Sequence, residues 1–211
     1  SEVENAEGVV AVLTAADIPG INDIGPVIHD EELLVSREIM YWGQPLFAVV
    51  ATSRRLARKA VRQAEIETEA LPAILDIDAA VAADLTVLDD YAMSRGQSAL
   101  GLAKSAHRLS GTQWVGGQEH FYLEGQVSVA LPQEDGDMLV YCSTQHPSEV
   151  QHGVAHVLGV PSHAITVESR RMGGGFGGKE TQGAQWAAIA ALGALKTGRA
   201  CKIRLDRDDD M

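Results

Sequence analysis

Residues 173–178 hold five glycines around a single phenylalanine, Phe176, and this run constrains the fold more than any other feature. Glycine adopts positive φ angles without steric cost and leaves the backbone N–H groups open to a ligand. The residues before it, 164–168, are predicted to form a strand, and residues 182–196 an almost wholly apolar helix. A glycine run between a strand and a helix is typical of a loop that receives an anionic group on its backbone.

Two phosphate-binding motifs match this run only in part. Gly173, Gly175 and Gly178 satisfy the dinucleotide pattern G-x-G-x-x-G, but the acidic residue expected about 20 positions later is missing. Gly173, Gly178 and Lys179 satisfy G-x-x-x-x-G-K, but Glu180 stands where Ser or Thr should bind Mg²⁺, and its carboxylate would repel phosphates. The third interpretation is a flexible surface loop, which an aromatic residue among the glycines argues against.

Composition excludes several function classes. The chain has 211 residues, enough for one large or two small domains, and its net charge of −12 disfavours nucleic acid and anionic membranes as partners. No apolar run is long enough for a transmembrane helix, and the first residues do not resemble a signal peptide. Cys142 and Cys201 form no C-x-x-C pair, which excludes an Fe–S cluster within these residues. Reduced thiols and a cytoplasmic location are therefore expected.

The hydrophobic pattern predicts an α+β chain in three parts. Residues 1–80 form a small α/β domain, residues 81–106 a linker, and residues 107–211 a mixed α/β domain. Predicted strands cover Val9–Leu13, 32–42, 45–51, 107–115, 126–131, 138–143, 164–168 and 201–205. Predicted helices cover 54–65, Pro147–Leu158 and 182–196, with a short helical turn at 76–84.

A second segment, residues 116–124, reads Gly-Gly-Gln-Glu-His-Phe-Tyr-Leu-Glu. Together with the glycine run it resembles the molybdenum hydroxylase family, in its xanthine dehydrogenase/oxidase branch. The resemblance is close over residues 110–211, which are similar to the first part of the molybdopterin-binding domain of the large subunit. Residues 8–75 resemble the α/β hammerhead domain that precedes it.

The resemblance implies roles for individual residues. Gln118 matches the glutamine that hydrogen-bonds an oxygen ligand of molybdenum, and a neutral amide can donate there without changing the charge of the site. Phe176 and Gly177 match residues whose backbone lies beside the metal and the pterin, and Gly175 allows that close approach. Gln118 and Phe176 thus lie near molybdenum without being direct ligands. Glu180 matches the acid that positions and polarises a purine.

The implied reaction is the hydroxylation of a purine such as hypoxanthine or xanthine, with water as the oxygen source, in purine catabolism. The aldehyde oxidase branch lacks an acid at the position of Glu180, so this residue favours the purine branch. Two alternatives stay open. One is a molybdenum hydroxylase of the aldehyde oxidase type, and the other is a non-catalytic module whose glycine-rich loop binds a small anion or a partner chain.

The family's large subunit extends well beyond the match to Met211, and its general-base glutamate lies in the later part. We therefore expect this chain to be a fragment that holds no molybdopterin–molybdenum and is inactive alone. The resemblance implies FAD and [2Fe–2S] groups on other domains or subunits. The expected partners are the rest of the large subunit, the Fe–S/FAD domains and the purine substrate, with no nucleic acid and no membrane.

Four other residues could suggest chemistry. His152 and His156 have metal-like spacing, but Gly153 follows the first histidine where a zinc protease has Glu, so structural or solvated histidines are expected. His120 is expected to pack behind the site. Glu124 is assigned a structural role.

Overall fold

The computed structural model describes residues 1–211, which divide into two compact units: residues 1–65 with 118–211, and residues 66–117. The fold is α+β, as predicted. Its strands are β1 (Val9–Leu13), β2 (Ala48–Ala51), β3 (Val127–Pro132), β4 (Met138–Cys142), β5 (Ile165–Glu168) and β6 (Cys201–Arg204). Its helices are α1 (Arg54–Val61), α2 (Ile77–Ala82), α3 (Ser98–Lys104), α4 (Pro147–Leu158), α5 (Gln182–Thr197) and α6 (Arg207–Asp210). None of them is both long and apolar enough to cross a membrane.

The N-terminal part of the first unit is an antiparallel pair, β1 and β2, in which Leu13 lies opposite Ala48. Helix α1 follows β2 at once, because the Ser53 hydroxyl accepts a hydrogen bond from the Leu56 N–H at 3.3 Å and so caps the first turn. The helix ends at Val61 rather than at residue 65. The predicted strand at 45–51 is shorter and begins at Ala48, because Ala48 pairs with Leu13, the last residue of β1.

The C-terminal part is a four-stranded sheet with the order β5-β4-β3-β6. Strand β3 is antiparallel to both β4 and β6, whereas β4 and β5 run parallel and are joined through α4. Pro147 begins this helix and Gly159, at φ +67°, ends it, as the sequence predicts. The crossover brings the residues after β5, including the glycine run, to the edge of the sheet where β4 ends.

Helix α5 lies at the centre of the first unit and is buried on several sides by β3, α4 and β1. Its small side chains, such as Ala187 and Ala191, are fully buried. Leu13, Leu33 and Leu34 belong to the same hydrophobic core. Each fully buried leucine stabilises the fold by about 1.5–3 kcal/mol. Because these leucines lie in the same cluster as residues of the sheet, the N-terminal residues and the sheet share one core.

The predicted strand at residues 32–42 is wrong. Leu33 and Leu34 are buried there, but the backbone hydrogen bonds of Leu34 are made by a side chain: its N–H donates to Asn22 Oδ1 at 3.1 Å, and its carbonyl accepts from Asn22 Nδ2 at 2.8 Å. A side chain that satisfies the backbone in this way replaces a strand partner.

The second unit, residues 66–117, contains α2 and α3 and no buried residue. Helix α2 confirms the predicted helical turn. The predicted strand at 107–115 is wrong, because every residue there is exposed and pairs with no other strand. The predicted linker contains α3, since alanine, leucine and lysine in its sequence are strong helix formers. The domain boundaries at residues 80 and 106 stay a prediction.

Candidate functional site

The glycine-rich loop after β5 is fastened to the end of β4 by one side chain, Gln145. Its Oε1 accepts hydrogen bonds from the N–H groups of Gly177 at 2.9 Å and Lys179 at 3.2 Å. Its own N–H donates to the Lys179 carbonyl at 2.8 Å. Within the loop, the Gly178 N–H donates to the Gly175 carbonyl at 2.8 Å and closes a turn. The loop is therefore a defined structure and not a solvated hinge.

The structure brings the two motif segments together. The Glu124 N–H donates to the Gly173 carbonyl at 3.2 Å, and Gln126 Nε2 donates to the Gly178 carbonyl at 2.9 Å. A Cβ atom at Gly178 would lie 2.6 Å from Tyr122 Cε1 and 3.0 Å from the His120 ring. His120 thus packs against the loop, which confirms its expected supporting role. Glycine is required at position 178 because two aromatic rings press on it.

The buried side chain of Lys179 stabilises the loop. The Lys179 side chain is fully buried, and its Nζ lies 3.3 Å from Glu124 Oε2 and 3.0 Å from Ser143 Oγ. Nζ also lies 4.6 Å from the centre of the Tyr122 ring, within the range of a cation–π interaction. A buried ammonium group needs such partners because burial disfavours its charge.

Glu124 completes this cluster as its anion. It accepts hydrogen bonds from the Ser143 hydroxyl at 2.5 Å and the Gly173 N–H at 2.9 Å. Partial burial on its own would raise the pKa of Glu124, but these two hydrogen bonds and the charge of Lys179 outweigh it and hold the pKa below its usual range. The carboxylate is therefore ionised at neutral pH, and the structure confirms the structural role expected for Glu124.

Tyr122 links the loop to α6. Burial, with a smaller effect from the nearby Asp210 carboxylate, raises the pKa of Tyr122 to about 12. The phenol is thus neutral at physiological pH, and its hydroxyl donates to Asp210 Oδ1 at 3.1 Å. It also accepts a hydrogen bond from Gln126 Nε2 at 3.1 Å.

The loop presents an exposed aromatic ring and three backbone N–H groups that have no partner within the chain. Phe176 is 77% exposed and adopts φ +54° between Gly174 at φ +96° and Gly177 at φ +100°. A positive φ is costly for a phenylalanine, and strain of this kind persists where the surrounding structure imposes it. The N–H groups of Gly174, Gly175 and Phe176 donate to no protein group. Gly175 is buried, whereas Gly174 and Phe176 are at least partly exposed. The N–H groups of Gly174 and Phe176 can therefore donate to an anionic or oxygen-rich group.

The remaining predicted site residues, Gln118 and Glu180, have exposed side chains. Gln118 comes two residues before His120, which contacts the loop, and Glu180 lies two residues before α5. Neither side chain forms a hydrogen bond within the chain, so both remain available to a ligand. Their roles, and those of Gly175, Phe176 and Gly177, stay predictions.

Three residues that hold the loop were not identified from the sequence. Tyr122 lies within residues 116–124 and Gln145 comes three residues after β4, but nothing in their spacing indicates which groups of the folded chain they contact. The pattern G-x-x-x-x-G-K predicts Lys179 as a phosphate ligand, whereas its side chain is fully buried. The one available signal was its position directly before a helix of small apolar residues, where a long side chain is easily buried.

Two protein-family models match the chain. Residues 82–211 match the molybdopterin cofactor-binding domain, and residues 1–72 match the a/b hammerhead domain of aldehyde oxidase and xanthine dehydrogenase.

Curated relatives match over almost the whole chain. The chain is 41% identical over 209 residues to xanthine dehydrogenase of Drosophila subobscura, which is 97% of this chain and 16% of that protein. It is 39% identical over 212 residues to xanthine dehydrogenase/oxidase of Mus musculus and 39% identical over 213 residues to aldehyde oxidase 2 of Cavia porcellus. The mouse and guinea-pig matches each cover all of this chain and 16% of the relative.

Solved structures share the fold. Quinoline 2-oxidoreductase from Pseudomonas putida 86 superimposes with a TM-score of 0.81 at 26% identity, over 99% of this chain and 29% of that one. The aldehyde oxidoreductase from Desulfovibrio desulfuricans ATCC 27774 superimposes with a TM-score of 0.87 at 22% identity, over 99% of this chain and 25% of that one.

Proposed function

We propose that this chain, which belongs to the molybdopterin cofactor-binding domain family, forms one wall of the active site of a molybdenum hydroxylase. Its first residues belong to the hammerhead domain of aldehyde oxidase and xanthine dehydrogenase. The chain spans 16% of the length of the curated relatives, so the activity proposed is that of a larger assembly. The proposed reaction is the oxidation of a purine such as xanthine, with water as the source of oxygen.

One observation carries this proposal: beside the exposed Phe176 ring, the N–H groups of Gly174 and Phe176 are at least partly exposed and have no partner within the chain. Such a surface fits a flat, anionic cofactor that must approach the backbone closely. Glycine is required at position 175 for a different reason, because a Cβ atom there would collide with the Gln145 side chain that holds the loop. When bound, molybdopterin–molybdenum supplies the two-electron oxidation of an electron-poor carbon, and the protein supplies orientation and electrostatics.

The side chains of Gln118 and Glu180 are exposed and form no hydrogen bond within the chain, so both are free for the proposed roles. The Gln118 amide donates a hydrogen bond to an oxygen beside the metal without adding charge to the site. The backbone at Gly175, Phe176 and Gly177 packs against the cofactor, and the Phe176 ring limits where a planar substrate can lie. Glu180 accepts a hydrogen bond from the heterocycle and stabilises the electron redistribution that develops there.

The alternative within the family is an aldehyde-oxidising enzyme, which is supported by the equally strong similarity to an aldehyde oxidase. Overall similarity does not separate the two substrates. The choice of a purine depends on Glu180, because a carboxylate recognises the N–H groups of a purine whereas a simple aldehyde offers no such donor.

The test uses Glu180→Ala in the native protein that carries this chain, with kcat/KM measured for xanthine and for a simple aldehyde. Loss of a hydrogen bond to a charged group is worth about 1.5–3 kcal/mol, so xanthine turnover should fall by about 10- to 100-fold while aldehyde turnover changes little. The matched control is Glu168→Ala, a partly exposed glutamate at the end of β5 that pairs with Arg170. Equal losses on both substrates would remove the reason for choosing a purine.

The proposal extends to partners and location. We propose that the rest of the large subunit completes the site, and that Fe–S and FAD domains take up the electrons. Cys142 and Cys201 are both free thiols, which supports a reducing compartment and hence the cytoplasm.

A further inference from the structure

Away from the glycine-rich loop, three potential metal ligands from two distant parts of the chain meet at the C-terminal end of α4. The ligand atoms of Asp23, His29 and His156 all lie within 4.8 Å of one another. His29 Nδ1 lies 2.9 Å from Asp23 Oδ1, and the rings of His29 and His156 stack with their centroids 5.8 Å apart. We propose that these three side chains bind one divalent transition-metal ion, with Zn²⁺ as the preferred occupant.

Asp23 is positioned before any ion binds. The residue is only 8% exposed, and its two oxygens accept hydrogen bonds from the N–H groups of Gly25 at 3.1 Å and Glu31 at 3.3 Å. The Ile24 N–H donates to the Glu31 carbonyl at 2.8 Å and closes the loop that carries His29. Backbone donors that fix a carboxylate in this way are typical partners of a metal-ligating side chain.

His156 lies in the last turn of α4, where the helix dipole favours a cation. The segment that carries Asp23 is docked on this helix end. The Gly20 N–H donates to the Val157 carbonyl at 3.0 Å, and the Ile21 N–H donates to the His156 carbonyl at 3.1 Å. Asp23 and His156 are thus held in fixed relation by backbone hydrogen bonds within two or three residues of each ligand.

The donor set suits zinc. Two imidazole nitrogens and one carboxylate oxygen form a three-ligand set, to which zinc adds a water as its fourth ligand. Ligand atoms around a tetrahedral Zn²⁺ lie about 3.3 Å apart, so the widest pair here needs to close by at most about 1.5 Å. The His29 side chain is 69% exposed and is free to turn inward. Beside the ligands is an open cavity of about 550 Å³, which leaves room for the water.

The geometry separates this site from the histidine pair that the sequence suggests. His152, four residues before His156, is exposed and lies outside the cluster. The partner of His156 is instead His29, more than a hundred residues away along the chain. An ion at this place would tie the loop around residues 24–31 to α4, and the proposal stands independently of any molybdenum chemistry.

The test measures zinc binding to the native protein that carries this chain. The protein is stripped with a chelator and dialysed against Zn²⁺, and bound zinc is counted for the wild type and for His29→Ala, His156→Ala and the control His152→Ala. We expect the wild type and the control to bind one zinc per chain. His29→Ala and His156→Ala should bind zinc at least about tenfold more weakly. Excess Mg²⁺, which prefers oxygen ligands, should not displace it.

Either of two results would overturn the site: no zinc bound by the wild type at 100 μM free Zn²⁺, or equal binding by all four proteins. His29 is exposed, so His29→Ala is expected to keep the fold, and circular dichroism checks this for each variant. If His156→Ala fails to fold, His29→Ala and Asp23→Asn decide the result between them.

Discussion

At the scale of single residues, the loop depends on a charge that is hidden inside the protein. Lys179 donates to both Glu124 and Ser143 while its whole side chain is buried. These contacts anchor the loop to Glu124 and Ser143, while the Phe176 ring remains exposed. The sequence does not predict this arrangement, because a lysine at the end of a glycine run is typical of a phosphate-binding loop.

The first prediction concerns Lys179→Met, which keeps the length of the side chain and removes its charge. Glu124 would lose its cation while remaining partly buried, so the local opening free energy of the loop should fall by about 2 kcal/mol. Hydrogen exchange at the amides of Gly177 and Gln145 in the native protein measures this change. The control is Lys196→Met, whose partner Asp17 forms an exposed pair and which should change opening by less than about 1 kcal/mol. Equal effects of the two variants would contradict the account.

The second prediction follows from the lowered pKa of Glu124. A carboxyl group with a lowered pKa in the folded state stabilises that state above its unfolded pKa of about 4.3, and this contribution is lost as pH falls through the folded value. Protection of the loop amides from hydrogen exchange, corrected for intrinsic rates, should therefore decrease below about pH 4.3. Glu124→Gln should show a flatter dependence. The same pH profile in both proteins would show that another group controls the loop.

At the scale of elements, the regular parts of the fold could be predicted and the irregular parts could not. The bounds of α4 follow from Pro147 at its start and Gly159 at its end, and the apolar run of α5 predicts a buried helix. These signals are local. Leu33 and Leu34 resemble a strand locally, but their backbone is bound by the Asn22 side chain, a contact that depends on the folded chain.

The third prediction tests the packing of the loop against residues 120–124. Gly178→Ala would place a methyl group 2.6 Å from the Tyr122 ring, so the loop should be destabilised by about 1–3 kcal/mol. Gly117→Ala is the matched control, because a Cβ atom there meets nothing within 4 Å. Hydrogen exchange at the Gly177 amide measures both variants. Equal protection in the two would mean that the aromatic rings do not press on the loop.

At the scale of the first unit, residues from both ends of the chain share one core. Leu13 of β1 and Leu192 of α5 are each buried in the same cluster. This sharing could not be predicted from the sequence, since a hydrophobic pattern indicates which residues are buried but not which element covers them. The predicted division into a hammerhead domain and a cofactor domain describes the order of elements along the chain. The hydrophobic core contains residues from both predicted domains.

The fourth prediction uses Leu13→Ala in the native protein. Removing this fully buried side chain should cost about 2–5 kcal/mol, and the loss should appear in the exchange of amides in both β1 and α5, because the two elements pack together. Val10→Ala is the control on the same strand, where the side chain is 46% exposed and the expected change is less than about 0.5 kcal/mol. A loss confined to β1 would contradict a shared core.

The central claim is that the glycine-rich loop is a wall of a molybdopterin site. The most direct measurement is the molybdenum and pterin content of the native protein that carries this chain, purified from cells supplied with molybdate. The account predicts one molybdenum and one pterin per copy of the chain. A folded protein that holds neither would contradict it.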